Sequence, residues 1–336
     1  MRRIGHSKEL VVRAIKEKDL KDAGELIHQV REEMGKRVVG QSDLIDGLIM
    51  GLIAGGHVLV EGVPGLAKTL AVRTLADVTA ALFKRIQFTP DLLPADLTGT
   101  MIYRQQSGDF VSRKGPIFCN VLLADEINRA PAKVQSALLE AMAEGQVTIG
   151  EQTYPLPVPF FVMATQNPIE QEGTYDLPEA QLDRFLVKVD VNYPDPTEEL
   201  AILERMVDNP DIPLSSILDR ERVQSLKNAT ETVKAEEGIR RYIVSLVAAS
   251  RVKDRRRLPF TRYIEYGASP RATLAIYRCA RVRALFEGRS FVLPEDVKYV
   301  APMALRHRIV LSYEAEVEQM DADAVIAQLL LAVAVP

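Results

Sequence analysis

Apolar residues recur at helical spacing over the first part of the chain. Along residues 7–34 they fall every three to four positions, which predicts a helix with a break near Asp19. From Ser42, a residue suited to capping a helix, pairs of leucine and isoleucine repeat every four residues as far as Gly55 and Gly56. This spacing predicts a second helix with one apolar face.

After Gly56 the apolar residues form short continuous runs instead. Such runs are typical of strands buried on both faces, and they cover residues 57–60, 121–124, 160–164 and 186–191, with a weaker fifth at 85–88. Helical stretches separate the runs, and strands that alternate with helices form parallel sheets covered on both faces. The sequence therefore predicts an α/β core with a five-stranded parallel sheet.

Two other segments alternate between apolar and polar residues around turn signals. Residues 101–118 contain the sequence SGD and residues 146–157 contain GE, and alternation about such turns is typical of β-hairpins. We expect both hairpins to be insertions that project from the α/β core.

A run with two prolines, YPDPTEE at residues 193–199, follows the last predicted strand, and helical spacing dominates from there to Pro336. We therefore expect three segments: an N-terminal helical segment at 1–35, an α/β core at 36–192 and an all-α domain at 193–336.

The first predicted strand leads into a loop suited to binding phosphate, with the sequence GVPGLAKT at residues 62–69. Gly62 and Gly65 allow backbone N–H groups to converge on phosphate oxygens, and the N-terminus of the following helix adds positive potential. Lys68 would reach the terminal phosphates of ATP, and Thr69 would ligate Mg²⁺. The alternative is a glycine-rich turn with a solvent-exposed lysine.

Ala67 departs from the general phosphate-loop pattern, which has glycine immediately before the lysine. A residue that enters a helix can hold right-handed dihedral angles without being glycine. We therefore expect alanine to be tolerated here, although its methyl group would crowd the loop.

Two acidic residues, Asp125 and Glu126, end the buried run NVLLADE. A carboxylate at the carboxyl end of a parallel strand faces the ligand crevice, where Asp125 can hold the Mg²⁺ shell and Glu126 can polarise the attacking water. Asn167 ends the next run, FFVMATQN, and can orient that water or sense the γ-phosphate. Taken singly, the acidic pair could be a solvated turn, and Asn-Pro is an ordinary turn signal.

Together these motifs resemble the MoxR family of AAA+ ATPases. The resemblance rests on GVPGLAKT, LLADEINRAP, ATQNPIEQEGTYDLPEAQLDRF and GASPRA, in this order, and extends from about Val38 to the end of the chain. Ala67 itself matches this family's variant of the loop. The resemblance implies an AAA+ P-loop NTPase core with β-hairpin insertions, followed by an all-α lid domain.

The resemblance also implies roles for two arginines. Arg184, in LDRF, takes the place of the arginine finger that reaches the ATP of a neighbouring subunit, although beside Asp183 it could equally form a surface ion pair. Arg271, in GASPRA, takes the place of the second sensor in the lid, acting on its own or a neighbour's ATP, and the alternative is an arginine that caps a helix.

The predicted nucleotide contacts include the segment VVGQ, which in the resemblance borders the adenine. The full set is Val39, Gly40, Gly62, Val63, Pro64, Gly65, Leu66, Ala67, Lys68, Thr69 and Leu70.

The resemblance further implies a ring, a hexamer, with ATP at the subunit interfaces. It implies a protein client and a partner that carries a von Willebrand factor A domain. The two hairpins match insertions that point into the ring pore or toward partners, so Tyr103, Arg104 and Phe110 are candidates for contacts with a client, or they simply pack the hairpin.

Composition and cysteine content indicate the class of protein and its cellular compartment. Its 336 residues are 47% hydrophobic and 26% charged, as in globular proteins, and the two cysteines show no disulfide or metal-ligand spacing. Neither a signal peptide nor a membrane span is evident, so we expect a reducing cytoplasm.

The net charge of −4 argues against a nucleic-acid partner, although residues 251–271 hold seven basic and two acidic residues. That basic stretch could bind nucleic acid, with Phe260 and Tyr263 stacking on bases, or it could be a solvated or subunit-facing surface of the lid. We expect an ATPase that remodels or matures proteins. The alternatives are a DNA-dependent motor and a nucleotide-gated scaffold that scarcely hydrolyses ATP.

Overall fold

A computed structural model describes residues 2–106, 108–168, 173–208, 212–254, 256 and 258–336. The helices are α1 (Arg2–Gly35), α2 (Ser42–Ala54), α3 (Lys68–Val78), α4 (Pro94–Thr98), α5 (Ala132–Glu144), α6 (Glu179–Leu182), α7 (Pro196–Asp208), α8 (Arg220–Thr232), α9 (Glu237–Ala249), α10 (Pro270–Phe286), α11 (Pro294–Leu305), α12 (Tyr313–Val317) and α13 (Ala322–Ala332). The strands are β1 (Val58–Glu61), β2 (Phe83–Gln87), β3 (Gly99–Arg104), β4 (Asp109–Lys114), β5 (Val121–Asp125), β6 (Gln146–Ile149), β7 (Gln152–Pro155), β8 (Phe161–Gln166), β9 (Val187–Asp190), β10 (Ile264–Tyr266) and β11 (Val310–Leu311).

The five predicted core strands form one parallel sheet in the order β2-β5-β8-β1-β9. Strand β5 is buried at every position, and only the last residue of β8 is partly exposed, because helices cover both faces of the sheet. The order places β5, β8 and β1 side by side. Their carboxyl ends therefore meet at one edge of the sheet, which is where the predicted site residues follow each strand.

Helix α2 is more deeply buried than its pattern predicts. The sequence predicted one apolar face, whereas every residue from Leu44 to Ile53 is buried. Two glycines allow this, because a Cβ atom added at Gly47 would lie 2.6 Å from Cγ2 of Val189, and one at Gly51 would lie 2.5 Å from Cγ2 of Val58. The helix therefore packs its backbone directly against the sheet.

Both predicted hairpins are present. Strands β3 and β4 pair antiparallel, as do β6 and β7. Tyr103 and Phe110 face each other across the first hairpin, with ring centroids 5.2 Å apart, and they are 55% and 67% exposed. The first hairpin therefore carries an exposed aromatic pair.

The chain divides into two compact units, Glu33–Arg220 and a second formed by Met1–Glu32 with Glu221–Pro336. We call them the core unit and the helical unit. Residues after the expected boundary at 192 stay with the core unit because they bond to it: Arg205 donates to the carbonyl of Gly35 at 2.7 Å, and the backbone N–H of Leu218 donates to Val78 at 2.9 Å. The expected segment boundaries at 35 and 192 therefore do not coincide with these two units.

The helical unit includes most of α1, which the sequence treated as a separate segment. Helix α1 runs through Asp19 without the expected break. At Gly24 an added Cβ atom would lie 2.9 Å from the backbone nitrogen of Gly288, so α1 approaches the end of α10 closely. A short antiparallel pair, β10 with β11, also lies in this unit, where the sequence predicted helices alone.

Among the described residues, no helix has both the length and the apolar character needed to cross a membrane.

Candidate functional site

The predicted phosphate loop connects the end of β1 to the start of α3. Two glycines shape it for different reasons: a Cβ atom at Gly62 would lie 2.8 Å from the carbonyl oxygen of Val191, whereas Gly65 has open space but a φ of +89°. Gly62 is therefore required by close backbone packing and Gly65 by its left-handed conformation. The loop ends where Lys68 begins α3, so the helix N-terminus faces the loop.

The backbone conformation of Ala67 differs from the one that we expected from the sequence. We expected right-handed angles, but the structure gives φ +56° and ψ +16°, in the left-handed region. The reason is that α3 begins only at Lys68, so the loop must still turn at Ala67, where a left-handed residue beside a right-handed one points successive N–H groups into a concavity. For alanine, this conformation costs about 1–2 kcal/mol.

Lys68 lies across this loop. Its ammonium group donates a hydrogen bond to the carbonyl oxygen of Gly62. Burial lowers the pKa of Lys68, while the negative charges of Asp125, Glu126 and Glu61 oppose that shift. The amine is therefore held among carboxylates, where an incoming anion would find a partly desolvated cation.

Asp125 ends β5 and is buried, with 8% of its surface exposed. Thr165 in β8 donates its hydroxyl proton to Oδ1 of Asp125 at 2.6 Å. Arg85 in β2 donates to Oδ2 from Nη2 at 2.7 Å and from Nε at 3.1 Å. Both carboxylate oxygens therefore have charged or hydroxyl donors from the two strands that flank β5.

Glu126 follows Asp125 in a left-handed conformation, with φ +55°. Its backbone N–H donates to the hydroxyl of Thr165 at 2.8 Å. Its Oε2 accepts hydrogen bonds from Gln87 at 2.7 Å and from Arg129 at 3.2 Å. The strained backbone and these bonds fix the direction of the second carboxylate.

These elements surround one cleft of about 410 Å³ at the carboxyl edge of the sheet. It is lined by Pro64, Gly65, Ala67, Lys68, Thr69, Leu70, Arg85, Asp125, Glu126 and Asn167. All of these except Arg85 belong to the site that the sequence predicts. The structure therefore brings together the loop, the acidic pair and Asn167, which is itself buried.

Sequence reasoning missed Arg85, Gln87 and Thr165. Each left a weak signal, because Arg85 and Gln87 flank the buried Ile86 in β2, and Thr165 is a polar residue in an otherwise apolar strand. Which strands neighbour β5 follows from the sheet order, and that order was not predicted.

The charges and oxygens of the cleft suit a nucleoside triphosphate with a divalent cation. Among the described residues, no cluster of three or more His, Cys, Asp or Glu side chains is arranged to hold a metal ion. The Thr69 hydroxyl and the Asp125 carboxylate are both oxygen donors of the kind that Mg²⁺ prefers, and they line one cleft. A Mg²⁺ ion here would therefore take the rest of its ligands from phosphate oxygens and water.

Comparison with known proteins bears directly on this arrangement. Residues 57–187 match the family model described as the ATPase family associated with various cellular activities, and residues 260–329 match an AAA lid domain. The chain is 49% identical to Chaperone MoxR1 of Mycobacterium tuberculosis over 305 residues, which covers 90% of this chain and 81% of the relative. It is 33% identical to Protein MoxR of Methylorubrum extorquens, covering 87% and 90%.

The chain belongs to the MoxR family of AAA+ ATPases. A crystal structure of a candidate ATPase from Cytophaga hutchinsonii is also similar, with a TM-score of 0.90, 48% identity, and coverage of 97% of this chain and 99% of that one. The α/β core with its five-stranded parallel sheet and the helical lid are thus the MoxR architecture.

The remaining predicted residues of this MoxR chain lie outside the lining of the cleft. Arg184 is exposed, precedes β9 and donates to the carbonyl oxygen of Leu139 in α5 at 2.9 Å. Arg271 is exposed on α10 of the helical unit, where its backbone N–H is capped by the Ser269 hydroxyl at 3.1 Å. Their roles as finger and sensor stay predictions.

Val39 and Gly40 lie just before α2. The next residue, Gln41, donates its side-chain amide to the carbonyl oxygen of Asn192 at 3.1 Å, which ties this segment to the end of β9. Gly62, Val63 and Leu66 complete the phosphate loop, with Leu66 buried.

The basic stretch at residues 251–271 is less accessible to nucleic acid than its sequence suggested. Phe260 and Tyr263 are 5% and 6% exposed, so neither ring can stack on a base. Arg262 lies over the ring of Tyr263 and pairs with Glu318 at 2.9 Å, and Lys253 donates to the carbonyl oxygen of Glu265 at 2.6 Å. These contacts favour a structural role for this part of the lid.

Proposed function

We propose that this protein is a MoxR-type ATPase that hydrolyses ATP within a ring of identical subunits and uses that cycle to remodel or mature a protein client. The observation that carries the proposal is the cleft in which Lys68, Asp125 and Glu126 converge at the carboxyl edge of the parallel sheet. A cation, an anchored carboxylate and a second carboxylate in one crevice are the groups that phosphoryl transfer to water requires.

The phosphates of ATP would be bound by the loop. The N–H groups around Gly65 and Ala67 and the N-terminus of α3 supply hydrogen bonds and positive potential for the phosphate oxygens. The Lys68 ammonium would exchange its contact with the Gly62 carbonyl for the terminal phosphates, because a charged acceptor makes a stronger hydrogen bond.

Residues of the acidic pair would perform separate tasks. Thr69 and Asp125 would hold Mg²⁺, which supplies neutralisation of phosphate charge when bound. Glu126 would polarise the attacking water, and Asn167 would orient that water or sense the γ-phosphate. Val39 and Gly40 are proposed to border the adenine.

Arg184 favours a site completed by a second subunit. It precedes the amino end of β9, while the phosphate loop follows the carboxyl end of β1, and these strands pair in parallel from Val58 with Val187. A strand of this length spans about 13 Å, so Arg184 lies toward the opposite edge of the sheet from its own loop. We propose that it reaches the ATP of a neighbour in a hexameric ring, with Arg271 of the lid contacting the γ-phosphate in its own or a neighbouring subunit.

Contact with the client is proposed for the first hairpin. An exposed pair of aromatic rings, Tyr103 and Phe110, gives a large apolar surface at low conformational entropy, which suits transient contact with unfolded or flexible protein segments. A partner with a von Willebrand factor A domain is part of the same proposal, as is action in the cytoplasm.

A test needs ATP turnover and client capture together. The purified protein should release phosphate from ATP, Lys68→Ala should lose nucleotide binding, and Glu126→Gln should keep binding while turnover falls about 10²-fold or more. In affinity capture, the Glu126→Gln variant should retain client proteins when ATP is present and should not retain them when ATP is absent.

Two outcomes separate the alternatives. Unchanged turnover in Glu126→Gln would contradict hydrolysis at this site and favour a nucleotide-gated scaffold. Turnover that DNA or RNA stimulates, with steep salt dependence, would favour a nucleic-acid motor instead.

A further inference from the structure

Among the charged residues that line the cleft, Arg85 is the one to which the proposed mechanism gives no task. Its side chain is 50% exposed, yet its guanidinium group donates twice to Oδ2 of Asp125, at 2.7 and 3.1 Å. It also donates to Oε1 of Gln87 at 3.0 Å. The carboxylate proposed to hold Mg²⁺ therefore already has a counter-ion from the protein.

Arg85 and a divalent cation compete for the same carboxylate. Oδ1 of Asp125 is engaged by the Thr165 hydroxyl, so Oδ2 is the oxygen that Arg85 occupies. A second positive charge at this carboxylate would repel the guanidinium, because the two cations would lie within a few ångströms in a partly buried site. Binding of Mg²⁺ therefore favours release of Arg85 from Asp125.

A released Arg85 would not lack partners. Gln87 already accepts one of its N–H groups, and the side chain lines the same cleft as Lys68 and Thr69, where phosphate oxygens would lie. Guanidinium groups bind phosphate as well as they bind carboxylate, in the same planar geometry. The exchange therefore replaces one ion pair with another.

We propose that Arg85 is an exchangeable counter-ion of Asp125: it neutralises the carboxylate in the absence of metal and is displaced by Mg²⁺ when nucleotide binds. This inference rests on the proposed function, since it requires a Mg²⁺–ATP site in this cleft. Its consequence concerns binding rather than turnover. Without Arg85, Asp125 would lose its hydrogen-bonded cation and would repel metal-free ATP more strongly, whereas Mg²⁺ would reach the carboxylate without competition.

The test compares nucleotide affinity with and without metal. The dissociation constant of a fluorescent ATP analogue is measured in EDTA and in saturating Mg²⁺. The readout is the constant in EDTA divided by the constant in Mg²⁺. We expect Arg85→Gln to raise this ratio about fivefold, the size expected for one partly exposed charge pair. Arg85→Lys, which keeps the charge, should remain near the wild-type ratio.

Lys84→Gln is the matched control. It removes one positive charge from the adjacent position of β2, whose side chain points to the other face of the sheet, so its ratio should equal that of the wild type. Arg85→Met, which keeps the aliphatic stem, should repeat the result of Arg85→Gln and replaces it should that variant not fold.

An unchanged ratio in the Arg85→Gln and Arg85→Met variants, or an equal rise in Lys84→Gln, would overturn the exchange. A wild-type protein that binds no nucleotide in either condition would instead overturn the proposed function, so the two failures are distinguishable.

Discussion

The hydroxyl of Thr165 joins both residues of the acidic pair, donating to Oδ1 of Asp125 at 2.6 Å and accepting the backbone N–H of Glu126 at 2.8 Å. Thr165 lies in β8, beside β5 in the sheet, and is 1% exposed. One buried side chain therefore positions the carboxylate proposed for Mg²⁺ and the left-handed residue proposed to polarise water.

Thr165→Val tests this positioning role. The methyl group that replaces the hydroxyl leaves Oδ1 of Asp125 and the N–H of Glu126 without their bond, so we expect kcat for ATP to fall about tenfold or more, with a smaller change in KM. Steady-state phosphate release measures both constants. Thr165→Ser keeps the hydroxyl and should retain most activity, so equal kcat values in the valine and serine variants would contradict the role.

Ala67→Gly should stabilise the protein. Alanine at φ +56° is strained and glycine is not, so the variant should gain about 1 kcal/mol in the free energy of unfolding. Urea denaturation followed by far-UV circular dichroism measures the shift in midpoint.

Ala71→Gly is the matched control for this substitution. Ala71 lies within the right-handed helix α3 and is buried, so glycine there should lower stability by about 1 kcal/mol. Opposite shifts in the two midpoints are the expected result. A loss of stability in Ala67→Gly as large as that in Ala71→Gly would mean that the left-handed conformation carries no strain.

Gly51→Ala should destabilise the core despite the higher helix propensity of alanine. The added Cβ would lie 2.5 Å from Cγ2 of Val58 and 3.0 Å from Cε2 of Phe161, and such overpacking costs about 1–3 kcal/mol, against about 1 kcal/mol gained in propensity. The denaturation midpoint should fall.

Gly35→Ala is the control for this packing effect. Gly35 ends α1, and a Cβ atom added there would meet no atom within 4 Å. This variant should therefore be neutral or slightly stabilising. A midpoint for Gly51→Ala that rises in parallel would show that α2 can move away from the sheet without loss.

Much of the fold could be predicted from local pattern. The core strands appear in the sequence as continuous apolar runs because parallel strands are buried on both faces, and the hairpins appear as alternation around glycine turns. The phosphate loop was recognisable because Gly62, Gly65 and Lys68 have chemical roles that few other residues can fill.

What could not be predicted depends on contacts between distant segments. The burial of α2 arises where Gly51 meets Val58 and Phe161 across the sheet, and the pairing of Arg85 with Asp125 depends on β2 lying beside β5. The predicted conformation of Ala67 was wrong because the direction of the loop is set by the position at which α3 begins. Spacing along the chain records none of these relationships.

Complementation between two inactive variants tests the shared ATP site directly, because the proposed site takes Lys68 from one subunit and Arg184 from the next. Each variant alone, Lys68→Ala or Arg184→Ala, should hydrolyse little ATP. Mixed in equal amounts and reassembled, they should recover about a quarter of wild-type turnover, since that share of interfaces in a random ring pairs an intact Lys68 with an intact Arg184. Rings that mix Lys68→Ala subunits with subunits carrying both Lys68→Ala and Arg184→Ala should recover no ATP turnover. Absence of recovery in rings shown to contain both single variants would contradict a site shared between subunits.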